Sequence, residues 1–239
     1  MRIEIDYRKF RLNRLNTDQF RHLKLLLFWP VFGLLFTYME RLRPVAHYHV
    51  VHCFLDDLIP FYEIFLIPYL LWFLALAGML LYTLLFDVRS FRRFMWFIMI
   101  TYSITIMIYL LFPTCQNLRP EEFVRDNAFT RFLAWFYTFD TNTNVCPSIH
   151  VIGAVAVMFT AWQAKGLSNW PCRIVFAVLT VLISLSTVFL KQHSVIDVLV
   201  AVPVCAVGYG LVFARAAVPV RPEPPKSKKQ KKKRVENSV

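Results

Sequence analysis

Charged residues are scarce in this chain: they make up 18% of its 239 residues, while 57% are hydrophobic. A soluble domain is usually about half apolar and about a quarter charged. The apolar residues are also clustered, because several windows approach the roughly twenty uncharged residues that cross a hydrocarbon core. No polar linker interrupts these windows. The composition therefore argues against a soluble protein and favours one membrane bundle over two domains.

Cysteine is also sparse, and its spacing indicates neither a zinc site nor a disulfide scaffold. The chain has five cysteines and no CxxC pair. Cys115 and Cys146 fall in one predicted outer loop, so the paired and the free state both stay open. A signal-peptide pattern is missing too, because basic residues recur from Arg2 to Lys24 before the first apolar run. That run is interpreted as a retained span.

The net charge of +12 raises the question of a nucleic-acid partner. The basic residues lie at the two ends and in short loops, whereas nucleic-acid readers gather them on one face with interleaved aromatics. We therefore expect no nucleic acid. Residues 1–23 are predicted as a basic cytoplasmic arm, 24–214 as the catalytic membrane domain and 215–239 as a disordered polybasic tail. The basic stretch 226–234 either contacts anionic lipids or is a solvated tail that reinforces topology.

The apolar windows predict an all-α polytopic membrane protein with a bundle of six transmembrane helices. Pro30, Pro68 and Pro203 lie inside the predicted spans, which neighbouring helices make tolerable in a bilayer. The segment from Glu40 to Ile59 is expected to be partly interfacial or re-entrant. The predicted spans are Lys24–Met39, Pro60–Phe86, Phe94–Pro113, Pro147–Ala164, Cys172–Leu190 and Val195–Ala214.

The distribution of Lys and Arg among the loops predicts the orientation of the bundle. With the N-terminus in the cytoplasm, twenty-one basic residues lie inside and six outside. Twelve remain inside when the tail is left out of the count. We therefore predict an integral, multi-pass membrane protein with both termini cytoplasmic.

Ionisable side chains inside spans are costly, so each is a candidate functional residue. Apart from charges at the cytoplasmic edges, only Glu63, His150 and Asp197 lie within the six predicted helices. Each falls three or four residues from the start of a span that runs from outside to inside. The three side chains are therefore expected at one depth, near the outer interface, which predicts an extracytoplasmic active site.

The spacing of His193 and Asp197 predicts a hydrogen-bonded pair, because residues four apart share one face of a helix. A carboxylate that accepts the Nδ1–H of an imidazole fixes its tautomer and leaves Nε2 free to attack. His150 has no acidic neighbour on its helix and suits a proton donor. Pro147 and Ser148 open that helix, whose N-terminus is predicted to cradle a phosphate. The alternative is that each histidine is only a polar anchor at the interface.

The sequences CPSIH (146–150) and STVFLKQHSVID (186–197) resemble the second and third signatures of the type 2 phosphatidic acid phosphatase superfamily. Arg119-Pro120 resembles the end of the first signature. The resemblance implies a phosphohistidine on His193, protonation of the leaving alcohol by His150 and orientation by Asp197. It further implies that Arg119 and Ser148 hold phosphate oxygens, and that the reaction needs neither a metal nor a cofactor.

Two cations of those signatures are missing, because Phe112 and Thr187 stand at their positions, and Ile149 replaces a glycine. Lys191 is the candidate substitute for phosphate binding. Arg125 and Arg131 lie in the same outer region. This thinned pattern resembles the branch of inositol-phosphorylceramide synthase and sphingomyelin synthase-like phosphotransferases.

We expect the substrate to be a phospholipid or another lipid phosphate in the bilayer. The fitting activities are a phosphatase and a headgroup phosphotransferase that uses a phosphodiester donor and a lipid hydroxyl. A non-catalytic lipid transporter or scaffold is the alternative from another class.

An acidic cluster at the start of the second span contains Asp56, Asp57 and Glu63. Asp57 and Glu63 are candidate substrate-binding residues for a cationic or polyol headgroup, while Asp56 is expected to be a solvated interfacial charge. His47, His49 and His52 fit no standard zinc spacing, so no metal site is predicted. Asp140 and Asn144 are interpreted as turn-forming residues that shape the loop before His150.

Overall fold

A computed structural model describes residues 3–214 as a bundle of helices. The predicted tail 215–239, including its basic stretch 226–234, lies outside the described residues. Two short strands form a parallel pair, β1 (His49–Val50) and β2 (Thr114–Cys115). The α-helices are α1 (Phe28–Arg41), α2 (Phe54–Leu58), α3 (Leu66–Phe86), α4 (Val88–Leu111), α5 (Ala128–Phe139), α6 (Ile149–Ala161), α7 (Trp170–Phe189) and α8 (Val195–Val212).

Five helical segments within the described residues are long and apolar enough to cross a membrane, which indicates an integral membrane protein. They are Arg21–Arg41, Glu63–Phe86, Val88–Leu111, Trp170–Phe189 and Val195–Val212. The predicted span Pro147–Ala164 is helical only over the 13 residues of α6. A span usually needs about 20 residues. Five of the six predicted spans are thus supported, and the count of six stays a prediction.

Two of the spans begin with a 3-10 segment, and a proline explains the transition from 3-10 helix to α-helix. Pro30 and Pro68 each occupy the third position of an α-helix that follows a 3-10 segment. Proline has no backbone N–H, so it cannot donate the bond that would continue an α-helix through the preceding turn. The α-helical hydrogen bonding therefore begins next to the proline in both spans.

Helix α4 forms the centre of the bundle, with half of its apolar window buried. It packs against α3, α6 and α8. Phe91, Phe94, Met95, Phe97 and Ile98 are fully buried there. Side chains that face lipid need no such cover, which explains why α1 and α7 expose many large apolar residues.

Backbone contacts bring six helix ends together at one end of the bundle. The parallel pair of strands joins the segment after α1 to the segment after α4. The Tyr62 N–H donates to the Phe189 carbonyl, which joins the start of α3 to the end of α7. The Ser148 N–H donates to the Asp197 carbonyl across the starts of α6 and α8. We call this the site end, because the candidate residues lie here.

The N-terminal arm packs at the opposite end of the bundle. The Tyr7 hydroxyl donates to the Leu84 carbonyl over 2.7 Å, and Glu4 forms a 3.2 Å ion pair with Lys165. The Lys165 N–H donates to Asp87, which joins the α6–α7 turn to the α3–α4 turn. The arm thus contacts both turns of this end.

Two helices at the site end were not predicted. Asn127 caps α5, because its side-chain oxygen accepts hydrogen bonds from two N–H groups of the first turn. Helix α5 buries Leu133 and Phe136 but leaves Trp135 and Phe139 exposed. It is amphipathic, a pattern typical of a helix at an interface. The other is α2, whose five residues were too few to show a helical period.

Candidate active site

His193 lies immediately before α8 and is held by the first turn of that helix. Asp197 Oδ2 accepts a hydrogen bond from His193 Nδ1 over 3.1 Å and from the Ser194 N–H over 3.0 Å. Asp197 is fully buried and His193 is 6% exposed. The hydrogen bond that the four-residue spacing predicts is therefore present. A carboxylate on Nδ1 leaves Nε2 as the ring nitrogen that carries a lone pair.

His150 lies in the first turn of α6, with its ring among aromatic side chains. The centroid of its ring is 4.6 Å from that of Tyr69 and 4.5 Å from that of Trp72. The ring of His193 follows at 5.6 Å. The two histidines are thus neighbours on different helices, and only His193 is paired with a carboxylate.

The N-terminus of α6 is anchored to two other helices. Ser148 caps α6 by accepting a hydrogen bond from the Val151 N–H. The Tyr109 hydroxyl donates to the Pro147 carbonyl over 2.6 Å. With the bond from Ser148 to α8 described above, these contacts bring the first two residues of α6 to the recess that His193 also lines. The free N–H groups at the start of a helix suit an anion.

Arg119 is held by the loop before α6 and by the loop before α8. Its Nη2 donates to the Gln192 side chain and, over 2.8 Å, to the Thr141 carbonyl. Its guanidinium lies 4.3 Å from the centre of the Tyr137 ring. Burial lowers the pKa of Arg119, but an arginine stays charged in proteins. Arg119 therefore contacts the side chain of Gln192, the residue that precedes His193.

Several buried polar atoms around the histidines have no hydrogen-bond partner within residues 3–214. Asn144, His150, Gln192 and His193 line one small recess. Buried polar groups of this kind are costly unless water or a ligand satisfies them. The recess therefore suits a polar ligand. The unpartnered atoms are Asn144 Oδ1, His150 Nδ1, Gln192 Nε2, Arg119 Nε and Asp197 Oδ1.

A cavity of about 460 Å³ adjoins this recess, and Asp140, Ile149 and His150 line both. Its walls come from α1, α3 and α5 and include Glu40, Asp140 and Trp72. A family model of the PAP2 superfamily matches residues 34–211, a range that contains all of these residues and both histidines.

The chain belongs to the PAP2 superfamily.

Membership of the PAP2 superfamily indicates an enzyme with phosphatase- or phosphotransferase-type chemistry on lipid phosphates. The resemblance noted in the sequence agrees with this assignment at the level of the superfamily. Comparisons with curated proteins and with solved structures gave no match.

Phe112 and Thr187, which replace the two missing cations of the PAP2 signatures, each contact other parts of the protein. Phe112 ends α4 and stacks on His49 with 4.0 Å between the ring centres. Thr187 is fully buried, and its hydroxyl donates to the Ser184 carbonyl. Its carbonyl accepts the N–H groups of Gln192 and His193, so this position supports the loop that carries His193.

The candidate substitute cations also have protein partners. Lys191 is buried, and its ammonium donates to the carbonyls of Asp56 and Ile59. Burial lowers the pKa of this amine. Arg125 pairs with Glu63 over 3.1 Å, and Arg131 pairs with Asp126 over 2.7 Å. Arg119 contacts the side chain of Gln192, which lines the recess that contains both histidines.

The acidic cluster is divided among three different environments. Asp57 is exposed and pairs with His52 over 2.8 Å. Glu63 begins the 3-10 turn of the second span and accepts hydrogen bonds from Arg125 and Asn127, both over 3.1 Å, which joins the start of α3 to the start of α5. Asp57 and Glu63 thus lie outside both cavities that His150 lines.

The prediction that Asp56 is a solvated charge is wrong, because its side chain is 1% exposed. Asp56 accepts hydrogen bonds from the Ser194 hydroxyl over 2.6 Å and from the Val195 N–H over 2.8 Å. It lies on α2, which the sequence did not predict. Ser194 and Val195 are the two residues that directly follow His193. Asp56 therefore positions the loop that carries this histidine.

The sequence did not predict that Glu40 and Asp140 line the cavity. The predicted first span ends at Met39 and leaves Glu40 out, whereas α1 continues to Arg41. An ionisable residue in the last turn of a span is the signal that would have found it. Asp140 ends α5 and accepts a 2.9 Å hydrogen bond from the Tyr69 hydroxyl. Its expected role in a turn did not predict that contact.

Among residues 3–214, the cysteines and the histidines at positions 47, 49 and 52 form no group of three or more side chains that could hold a metal ion. All five cysteines lie in this range and carry free thiols, including Cys115 and Cys146. His47 and His49 contact each other edge to face, with 5.3 Å between the ring centres.

Proposed function

We propose that this protein cleaves a lipid phosphate ester through a phosphohistidine on His193. The observation that carries the proposal is the pair of neighbouring histidines, of which His193 alone is hydrogen-bonded to a carboxylate. Two histidines in these environments suit two different tasks, a nucleophile and a proton donor. The substrate is a phospholipid or another lipid phosphate, in agreement with the chemistry of the PAP2 superfamily.

The proposed first step is the attack of His193 Nε2 on phosphorus. A nitrogen–phosphorus bond forms while the ester bond to the leaving oxygen breaks, and that oxygen takes the electron pair and a proton from His150. Asp197 keeps the Nδ1 proton in place and stabilises the positive charge that develops on the ring. Arg119 and the N–H groups of α6 offset the charge on the phosphoryl oxygens.

In the proposed second step, a hydroxyl oxygen attacks the phosphorus of the phosphohistidine. The phosphorus–nitrogen bond breaks, and its electron pair returns to His193 Nε2. Water gives a phosphatase, whereas a lipid hydroxyl gives a headgroup phosphotransferase. In either case His150, now neutral, accepts the proton of the attacking hydroxyl. We favour a phosphodiester donor with a lipid acceptor, because Lys191, Arg125 and Arg131 are already engaged. A diester carries one negative charge where a monoester carries up to two, so it needs fewer cations.

We propose that the site end faces the extracytoplasmic side and that both termini are cytoplasmic. The excess of Lys and Arg in the remaining segments supports this orientation. The exposed aromatics of α5 at the site end suit an interface. A donor lipid then enters sideways from the outer leaflet.

Lipid mass spectrometry after incubation of the purified protein tests this proposal and separates hydrolysis from transfer. The protein is incubated with phospholipids, phosphatidic acid, ceramide and diacylglycerol. The wild type is expected to convert a diester donor, and His193→Ala is expected to abolish conversion. His47→Ala is the matched control, because His47 is exposed and distant in sequence from both signatures.

Radiolabelled donor gives an independent reading of the intermediate. The wild type is expected to retain label in an acid-labile, alkali-stable form, as phosphohistidine is, and His193→Ala is expected to retain none. Conversion by His193→Ala at the wild-type rate contradicts the proposed nucleophile. Rapid release of inorganic phosphate from phosphatidic acid, with no diester turnover, contradicts the diester preference. A wild type that binds lipids but converts none supports the transporter or scaffold.

A further inference from the structure

The small recess that His150 and His193 line has room for one water-sized group. Its volume is about 20 Å³, whereas the adjoining cavity has about 460 Å³. A space of this kind holds a water molecule when its volume exceeds roughly 10–15 Å³. The recess therefore accepts a single oxygen atom, and the rest of a larger ligand would lie in the cavity.

The side chain of Gln192 supplies a free hydrogen-bond donor at this recess. Gln192 is 3% exposed and is one of the lining residues. Its Oε1 accepts a hydrogen bond from Arg119. Because a guanidinium has donors only, this contact identifies the other end of the amide as the nitrogen. Gln192 Nε2 has no hydrogen-bond partner within residues 3–214, so an accepting ligand atom would satisfy it.

Asn144 supplies the complementary free acceptor. Its side chain is 4% exposed and lines the same recess. Asn144 Nδ2 donates to Glu40 Oε1 over 2.7 Å, which leaves Oδ1 as the amide atom without a partner in the described part of the chain. His150 Nδ1 is also unpartnered there, and it accepts or donates according to the tautomer of the ring. The recess thus combines a free donor with a free acceptor.

This combination suits a hydroxyl group better than a phosphoryl oxygen. A phosphoryl oxygen only accepts hydrogen bonds, so it would leave Asn144 Oδ1 unpaired. The described residues that line the recess include no Lys or Arg to offset an anionic oxygen, and they include Asp140. A hydroxyl both accepts and donates, so one hydroxyl can satisfy both amides. Water and the hydroxyl of a lipid alcohol share this chemistry.

Both amides belong to backbone that is fixed by hydrogen bonds. The N–H groups of Gln192 and His193 donate to the same carbonyl, that of Thr187, over 2.9 and 3.0 Å. The Asn144 N–H donates to the Thr114 carbonyl over 2.6 Å. Asn144 has a φ of 51°, in the left-handed region where asparagine is enriched. A group bound in the recess is therefore held in a constant position relative to His193.

We propose that Gln192 and Asn144 bind the hydroxyl that attacks the phosphohistidine in the second step. The proposal rests on the proposed function, because it assumes a phosphohistidine on His193. The hydroxyl oxygen accepts from Gln192 Nε2, and its hydrogen is directed to Asn144 Oδ1 or to His150. As the oxygen–phosphorus bond forms, the phosphorus–nitrogen bond breaks and its electron pair returns to His193 Nε2. The hydroxyl proton passes to His150.

Separate rates for the two half-reactions test this proposal. Gln192→Met keeps the approximate size of the side chain and removes its amide. Wild type and variant, in nanodiscs with diacylglycerol and ceramide, receive a phospholipid mixture labelled at phosphorus, and protein-bound label is followed by rapid quench. The variant is expected to take up label at close to the wild-type rate. Label should leave the variant about 10- to 100-fold more slowly, because the attacking hydroxyl is no longer held in place, so phosphohistidine accumulates.

Gln116→Met is the matched control. Gln116 is a fully buried glutamine whose Nε2 is likewise unpartnered within residues 3–214, but it lines neither the recess nor the cavity. We expect uptake and loss of label in this variant to match the wild type. Gln192→Asn retains an amide that is shorter by one methylene, and it should slow the loss of label less than Gln192→Met does. The asparagine variant decides the test if the methionine variant does not fold.

The labelled product identifies the source of the hydroxyl. A labelled lipid indicates a lipid hydroxyl in the recess, and a water-soluble labelled product indicates water. Either product supports the proposal when phosphohistidine accumulates in the Gln192 variants.

Loss of label at the wild-type rate in both Gln192 variants overturns the proposal. Slower uptake without accumulation also overturns it, because Gln192 would then serve the phosphate. Accumulation that is equal in Gln116→Met would reduce the effect to a structural one. Failure of the proposed function has a different signature, because the wild type itself then takes up no label and converts no lipid, and the present proposal falls with it.

Discussion

The Ser194 hydroxyl donates a 2.6 Å hydrogen bond to Asp56 Oδ2, which joins the short helix α2 to the residue after His193. The Val195 N–H donates to the other oxygen of Asp56 over 2.8 Å. On the opposite side of the histidine, Lys191 donates to two carbonyls of the same α2 region. The loop of the proposed nucleophile is thus fixed to α2 from both sides.

Asp56→Asn should reduce both stability and turnover. The amide replaces one acceptor oxygen by a donor that faces buried donors, so we expect unfolding to become easier by about 2 kcal/mol. The loop of His193 loses one of its two attachments, and we expect kcat to fall on the order of 10- to 100-fold. Thermal melts in detergent and lipid conversion by mass spectrometry measure the two effects.

Asp57→Asn is the matched change at the next residue, whose carboxylate is exposed and pairs only with exposed His52 among the described contacts. We expect stability to stay within about 0.5 kcal/mol of the wild type, as for most surface changes. Equal losses in the two variants would instead indicate that the acidic pair acts together.

Acid should remove the contribution of Asp56. Burial alone would raise the pKa of Asp56, but hydrogen bonds from Ser194, Val195 and Cys53 outweigh burial and hold it below its usual value. A lowered carboxyl pKa stabilises the fold above the unfolded value, about 3.9, and that stabilisation is lost as pH falls through the folded pKa. The difference in melting temperature between wild type and Asp56→Asn should be full at pH 7 and shrink below about pH 4. A difference that is constant down to pH 3 would contradict this assignment.

Gly153 permits the aromatic packing around His150. A Cβ at this position would lie 2.7 Å from Trp72 Nε1 and 2.8 Å from the Tyr102 hydroxyl oxygen, so both side chains would have to move. Trp72 packs on His150, and the Tyr102 hydroxyl donates to the Ile149 carbonyl. Gly153→Ala is expected to cost about 1–3 kcal/mol of stability and to slow turnover.

Gly78→Ala provides the comparison, because no atom lies within 4 Å of a Cβ there. Helix α3 should tolerate alanine or gain up to about 1 kcal/mol. Thermal melts of both variants measure the two changes in stability. Equal stability of the two variants would show that the side chains of Trp72 and Tyr102 move at little cost.

The two histidines should differ in their dependence on the leaving group. His150→Gln removes the proton donor, so we expect a loss of about 10²- to 10⁴-fold with a lipid ester, whose alkoxide needs a proton. A nitrophenyl ester of the same phosphate leaves without a proton and should be much less affected. His193→Ala should lose both activities. Steady-state rates with the two donors measure this, and a His150→Gln loss that is equal for both donors would remove the acid role.

The features that depend on short sequence separations were predictable. The hydrogen bond between His193 and Asp197 follows from their separation of four residues at the start of α8, and the long apolar runs predicted the spans at Val88–Leu111 and Val195–Val212 within several residues. Such features involve residues that are close in sequence, and the geometry of the helix fixes which of them become partners.

The partners of isolated charges were not predictable. Lys191 has a left-handed backbone, with φ of 53°, and this conformation belongs to the loop that turns its ammonium toward α2. Asp56 and Ser194 are 138 residues apart, so no local pattern reveals their contact. The position of Glu40 in the cavity wall depends on the end of α1, which lies two residues beyond the predicted end of the span. Estimates of helix boundaries from sequence do not resolve a difference of two residues.

Helix α6 is about 20 Å long at 1.5 Å per residue, some 10 Å less than a hydrocarbon core. The missing length is at its start, because His150 contacts Tyr69 and Trp72, which follow the start of α3 by about one to two turns. His150 therefore lies about one to two helical turns below the start of α3, beside the rings of Tyr69 and Trp72. Under the proposed function, the ester of the donor and the hydroxyl of the acceptor both have to reach this depth. The short start of α6 thus sets how far a reacting molecule has to extend into the bundle.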